Sequence, residues 1–227
     1  MNERPILFSA PMVRAILRES DPKTVTRRTS GLDKINESPC RWILIDDLGK
    51  PGHDGMFAFS DRKGIEPTVK IRCPYGVAGD RLYTRESYRV LADYDHRKPR
   101  ELVGDWIEVW YEADSDAPAG IGKLRPGIFM PRWASRILLE VVSVRPDRLQ
   151  AIPEEDAKAE GIESFDFPVP PDPPEQIVTR FGTIGYFPKT EPTAALAFRR
   201  LWESINGPDS WAKNPWVWRV EFRRIAA

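Results

Sequence analysis

The chain has 227 residues, 41% of them hydrophobic and 11% aromatic, with eight tryptophans, which is material for a sizeable core and excludes wholesale disorder. Lys plus Arg (34) equals Asp plus Glu (34), so a globally basic coat for nucleic acid is excluded, though a local basic site is not. Twenty-two prolines, about twice the usual share of roughly 5%, predict short strands and long ordered loops rather than a helical bundle.

Pro5 to Phe8 reads as a strand. Ser9 stands where a helix cap belongs and Pro11 fits the first turn. Met12, Val13, Ile16 and Leu17 then share an apolar face, with Arg14 and Arg18 opposite. Pro22 should end that helix, because the residue before a proline avoids helical backbone. Lys23 to Arg28 alternates and should leave the helix extended.

From Arg41 the pattern is one of short strands: Trp42–Ile45, Met56–Ser60, Thr68–Arg72, Arg81–Tyr88, Trp106–Tyr111 and Arg136–Val144. Leu149–Gly161 reads as a short helix that Pro153 opens, its positive N-terminal end favoured by Glu154, Glu155 and Asp156. Pro168–Pro174 is a polyproline-type connector. Thr193–Asn206 is an amphipathic helix stopped by Gly207-Pro208. In the closing strand Trp216, Trp218, Val220 and Phe222 alternate with Val217, Arg219, Glu221 and Arg223. The expectation is one α+β domain over residues 1–227. It is a mixed β-barrel with about three helices and long loop insertions near 29–67, 91–126 and 163–192.

Charge is segregated along the chain. Residues 150–176 carry eight acids and one base, residues 123–148 six bases and two acids, and residues 1–45 eight bases and five acids. Cys40 and Cys73 are the only cysteines, too few for a disulfide framework, which suits a reducing cytoplasm. No apolar run approaches ~18 residues and no signal-peptide core follows Met1, so a cytoplasmic protein without a membrane partner is expected.

Several chemistries lack their residues. His53 and His96 are the only histidines, and neither a G-x-S-x-G element nor a P-loop occurs. Cys40, His53, Cys73 and His96 match no zinc spacing, so neither metal nor cofactor is expected. What remains is Lys23 with Thr26. A threonine hydroxyl becomes nucleophilic when a neighbouring amine takes its proton, and Arg27 and Arg28 would lower the lysine pKa in that direction. An ideal strand places Lys23 and Thr26 on opposite faces, so their joint action requires a kink after Pro22. An ordinary strand edge is the other reading. In Met130–Arg136, Trp133 flanked by Arg132 and Arg136 reads either as a stacking platform with phosphate contacts or as a plug at the barrel end.

The run Ala15-Ile16-Leu17 followed by Lys23-Thr24-Val25-Thr26-Arg27-Arg28 resembles the opening of the ASCH domains (activating signal cointegrator homology). Gly79-Asp80-Arg81-Leu82-Tyr83-Thr84-Arg85-Glu86 resembles their Gly-Asp-x-Leu strand start. Glu155-Asp156-Ala157-Lys158-Ala159-Glu160-Gly161 resembles the helix after their central strand. Phe198–Trp202 followed by Val217–Phe222 resembles their closing helix and strand. These matches come in the family's order across about half of the chain. Met130-Pro131-Arg132-Trp133-Ala134-Ser135-Arg136 is similar to a recurring element of a longer branch found in phages and prophages.

The resemblance implies a PUA-like barrel whose cleft takes RNA, single-stranded nucleic acid, nucleotides or modified nucleosides. In a small bacterial member that removes an acetyl group from the exocyclic amine of cytidine, the catalytic lysine, threonine and glutamate match Lys23, Thr26 and Glu160. The resemblance thus implies an RNA- or nucleotide-binding protein, with an amidohydrolase of an acylated nucleoside or a ribonuclease as alternatives. In the binding reading Arg27, Arg28, Arg132 and Arg136 contact phosphate or ribose. Tyr83 and Trp133 stack on a base, and Arg85 and Glu86 of the matched strand complete the set.

Overall fold

The computed structural model describes residues 2–46, 55–65, 67–102, 107–114, 118–162, 177–178, 184–185 and 194–225. The first third contains β1 (Glu3–Leu7), α1 (Ala10–Leu17), β2 (Val25–Arg28), α2 (Asp33–Asn36), β3 (Trp42–Asp46), β4 (Met56–Asp61) and β5 (Val69–Arg72). Then follow β6 (Arg81–Arg85), β7 (Tyr88–Arg89), β8 (Trp110–Tyr111), β9 (Leu138–Arg148) and α3 (Glu154–Ala159). The chain ends with β10 (Ile177–Val178), β11 (Ile184–Gly185), α4 (Ala194–Asn206) and β12 (Trp216–Ile225). The α+β class is as expected. Pro168–Pro174, the proposed connector, lies outside the described residues.

The main sheet has the order β1-β6-β9-β12-β2, with β1 parallel to β6 and the other neighbours antiparallel. The expected barrel is corrected: among the described residues no sheet closes on itself. Four inter-strand steps of about 4.8 Å would hold the edges of a flat sheet about 19 Å apart, beyond the reach of one side chain. Yet Arg28 on edge strand β2 donates from Nη2 to the Leu7 carbonyl on edge strand β1 at 2.8 Å. The sheet therefore curls until its edges face each other, and a guanidinium spans the seam where a barrel would have a backbone ladder.

β12 organises both cores through its period of two. Trp216, Trp218, Val220 and Phe222 point into the main core, which also takes Ile6, Phe8, Val13 and Ile16. Val217, on the opposite face, joins Leu149, Ala157, Phe198 and Trp202 beneath α3 and α4. Residues 29–67, read as an insertion, supply Leu32, Ile35, Trp42, Phe57 and Phe59 to the main core. Antiparallel β3-β4-β5 lays Phe57 and Phe59 on Trp218 and Trp216, with ring centroids 5.2 Å apart in each pair. A third cluster gathers Tyr88, Val90, Leu102, Ile107, Met130 and Ala134.

Several boundaries differ from the sequence reading; β9, for one, runs Leu138–Arg148 rather than Arg136–Val144. α1 stops at Leu17, five residues before Pro22, and Asp21 takes a φ of 48° to turn the chain toward Lys23. The expected strand Arg81–Tyr88 breaks after Arg85, because the Glu86 N–H leaves the ladder for the Met130 sulfur and Tyr88 pairs with Tyr111. Within the span Leu149–Gly161 the α-helix starts just after Pro153, as expected, while Leu149–Ala151 is a separate 3₁₀ turn because Pro153 lacks an N–H to join the two. No helix among the described residues is long and apolar enough to cross a membrane.

Candidate functional site

Lys23 is clamped by backbone before its side chain does anything. Its N–H donates to the Ala15 carbonyl of α1 at 2.9 Å, and the Thr24 N–H donates to the Ala159 carbonyl of α3 at 2.9 Å. The side chain then runs beneath Gly161 and is only 2% exposed. Gly161 has a φ of +81°, and a Cβ there would lie 2.7 Å from the Ala15 Cβ and 2.9 Å from the Lys23 Cβ. Only glycine allows this approach. Lys23 Nζ donates to the Glu160 Oε2 at 2.5 Å and to the Glu160 carbonyl at 2.8 Å. Burial pulls the Lys23 pKa below its ordinary value; the Glu160 carboxylate opposes this, while Arg28 and Arg27 add to it.

Glu160 does not stand alone. Asp156 lies four residues earlier, on the same face of α3. Arg27 donates from Nη2 to Asp156 Oδ2 at 2.5 Å and from Nη1 to Glu160 Oε1 at 3.4 Å. The register sets Arg219 of β12 opposite Arg27. From there Arg219 grips Asp156 with two bonds, Nε to Oδ2 at 2.7 Å and Nη2 to Oδ1 at 2.8 Å, and gives a third to Glu221 at 2.9 Å. The hydrogen bonds from Arg219 and Arg27 overcome burial and hold Asp156 down to about 2, and the same contact raises the Arg219 pKa. Three cations and three carboxylates thus form one chain from Lys23 to Glu221.

A cavity of about 220 Å³ runs along the free edge of β2 beside this chain. Thr26, Arg27, Arg28, Thr29, Ser30 and Glu160 line it, with Met12 and Tyr75 on one side and Phe198, Leu201, Trp202, Ile205 and Asn206 of α4 on the other. Because β2 is an edge strand, residues of both its faces reach the same hollow. The expected kink before the strand is present, and Thr26 shares a wall with Glu160. Lys23 is not in that wall; it stands behind Glu160. A second, more open cavity of about 520 Å³ meets the first at Arg28, Ser30 and Tyr75, and continues along β1 past Arg4, Pro5, Ile6, Leu7 and Pro74.

The other expected binding residues lie elsewhere and are engaged within the chain. Arg136 gives both Nε (3.0 Å) and Nη2 (3.1 Å) to the Glu86 carboxylate and Nη1 to Asp114 (2.5 Å). It also covers the Tyr111 ring at 3.9 Å from its centroid. Burial raises the Glu86 pKa against the pull of Arg136. Tyr83 lies between Arg85 and Arg132, 5.5 Å and 5.2 Å from its ring centroid. Arg85 also bonds the Tyr83 hydroxyl and the Ile128 carbonyl, and Arg132 pairs with Glu3 at 2.8 Å. Trp133 is half-buried against the third cluster.

Sequence reasoning missed Tyr75, Trp202, Asp156 and Arg219 as parts of the site. The four-residue spacing of Asp156 and Glu160 was a signal for two of the carboxylates, and the alternation of β12 put Arg219 on the same face as Val217. Nothing local marked Tyr75 or Trp202, which reach the cavity from other elements. His53 lies outside the described residues, and among those described no group of three or more His, Cys, Asp or Glu side chains gathers in a metal-binding arrangement. Comparison of the chain with protein-family models, curated proteins and solved structures finds no match.

Proposed function

We propose that the chain is a cytoplasmic ASCH-type protein, a variation on the PUA-like barrel, that takes one nucleobase with its sugar into the cavity along β2, either as a free nucleoside or nucleotide or at the end of an RNA strand. The observation that carries this reading is the composition of that wall. Thr26, Arg27, Arg28 and Glu160, from two of the matched motifs, line one hollow together with Tyr75 and Trp202. Its volume is below the roughly 300–1,000 Å³ of pockets for drug-sized ligands, which favours a single nucleoside over a folded oligonucleotide. The engagement of Arg132 and Arg136 by Glu3, Glu86 and Asp114 also argues for a compact guest, since those charges are already balanced. The test is a titration with cytidine and N4-acetylcytidine, followed by tryptophan fluorescence because Trp202 stands in the wall. A saturable 1:1 change is expected; no response to any nucleoside or nucleotide removes the reading.

A second reading, hydrolysis of an acylated exocyclic amine, is favoured by the Lys23–Glu160 contact. Glu160 faces the guest while Lys23 holds its carboxylate in place, so Glu160 acts as the base and Lys23 as a positioning residue. Thr26 Oγ1 bonds to the acyl carbon as its proton passes to Glu160. The C–N bond then breaks, with that proton going to the departing amine. Water, deprotonated by Glu160, cleaves the threonine ester, returning the hydroxyl and releasing the acid. Acetate release from N4-acetylcytidine should vanish in Thr26→Val while binding persists. Absence of release by the unaltered protein leaves a binding protein.

A further inference from the structure

Arg28 differs from the other arginines around the site. Arg27, Arg219, Arg132 and Arg136 each have a carboxylate within 3.4 Å. Arg28 forms no ion pair among the described residues; its guanidinium donates to the Leu7 carbonyl and lies 5.1 Å from the centroid of the Phe8 ring. With each group in its ordinary ionisation state, the neighbouring network of three cations and three carboxylates cancels, so the charge of Arg28 is left over. Burial pushes the Arg28 pKa down, and the opposing pull of Tyr75 and of the Glu160 carboxylate does not restore it.

The position of this charge matters as much as its sign. Arg28, Ser30 and Tyr75 are the residues shared by the walls of both cavities, so the guanidinium stands at their junction. Two further donors in the first wall lack acceptors: Arg27 Nε and Trp202 Nε1 are buried with no hydrogen-bond partner among the described residues. A buried donor left unpaired is costly. Both atoms are sealed from the hollow, so the unmatched charge that a guest can meet there is that of Arg28. Arg4, also in the wall of the second cavity, is held among the described residues by the Pro74 carbonyl and a 3.9 Å contact to Asp80.

We infer that the guest is a nucleotide rather than a neutral nucleoside, its base in the β2 cavity and its phosphate on Arg28 at the mouth of the second cavity. This rests on the reading that the β2 cavity takes a nucleobase. A phosphate supplies several strong acceptors and the missing charge, and a planar guanidinium grips it with parallel bonds. The seam left open by the unclosed sheet is thereby the phosphate subsite.

The experiment is isothermal titration of the full chain with cytidine and with cytidine 5′-monophosphate at low salt. The monophosphate should bind about tenfold more tightly or better, the increment expected of a charge-assisted contact, and the ratio should shrink as salt is added. In Arg28→Gln the ratio should fall below about twofold, and in Arg28→Lys it should be intermediate; Arg145→Gln, at an exposed pair that lines neither cavity, should preserve it. Circular dichroism and melting of each variant check that it folds. Cytidine binding as tightly as its monophosphate, or a preference that survives Arg28→Gln in folded protein, overturns the phosphate assignment and leaves the base-binding reading standing. No heat from either ligand overturns both.

Discussion

Two clusters in this protein are built of the same parts. At Glu86, a buried carboxylate meets Arg136, which also reaches Asp114 and covers the Tyr111 ring. At Glu160, a buried carboxylate meets Lys23 and Arg27, and Arg27 reaches Asp156 and lies 5.9 Å from the Phe198 ring centroid. In the first cluster each end of the Arg136 guanidinium has a carboxylate acceptor. The second opens on a hollow, and beside it stand a cation without an anion and two buried N–H groups without acceptors. Charge and aromatic content do not separate the two clusters; an unpaired guanidinium at the junction of two cavities marks the second.

The largest expected effect is at the Lys23–Glu160 pair. Glu160→Gln leaves a buried ammonium facing an amide, and breaking a buried pair costs about 3–5 kcal/mol, to be read from urea denaturation. The double change Lys23→Met with Glu160→Leu should recover much of that loss, because it removes both charges. Recovery without binding would show that the pair serves the site rather than the fold.

Acid sharpens the comparison next. Asp156 titrates at about 2 in the folded chain against 3.8 for the ordinary group. Its contribution is fully present above pH ~4 and is lost as pH falls through ~2, amounting to about 2 kcal/mol. Asp156→Asn should remove this component from the dependence of stability on pH below 4. An unaltered acid profile in the variant would mean that Arg27 and Arg219 do not hold Asp156 as described.

The effect most able to break the comparison is at Glu86. Glu86→Gln replaces a two-bond charged contact by a weaker neutral one and should cost about 1–3 kcal/mol. Nucleotide affinity should be unchanged within error. A large fall in affinity, with the fold retained, would return Glu86 and Arg136 to the binding surface.

Much of the local order was legible in the chain. The alternation of β12 was readable because a strand between two cores must be apolar on one face, and Trp216, Trp218, Val220 and Phe222 satisfy that rule without help from elsewhere. α4 was readable for the corresponding reason at helical spacing. Lys23, Thr26 and Glu160 were singled out through short ordered motifs, and two of the three meet in one ion pair while two share one wall. The end of α1 was not legible, because the turn at Asp21 is held by Lys23 bonding back to Ala15 and by Thr24 bonding to Ala159, contacts across the fold. The break after Arg85 was hidden too, since Glu86 leaves its strand for Met130 and Arg136, 44 and 50 residues away.

The amino-acid sequence by itself determined the longer elements such as α1, α4 and β12, which of their faces are apolar, and which residues carry reactive or charged groups; these follow from spacing within one element. The tertiary structure alone decided that the sheet stays open, that Arg28 spans its seam without a carboxylate, and that Arg132 and Arg136 are balanced by Glu3, Glu86 and Asp114. The reason is that the state of a charge depends on what else has been brought within a few ångströms of it and on how much water has been removed. Neither is a property of neighbours along the chain.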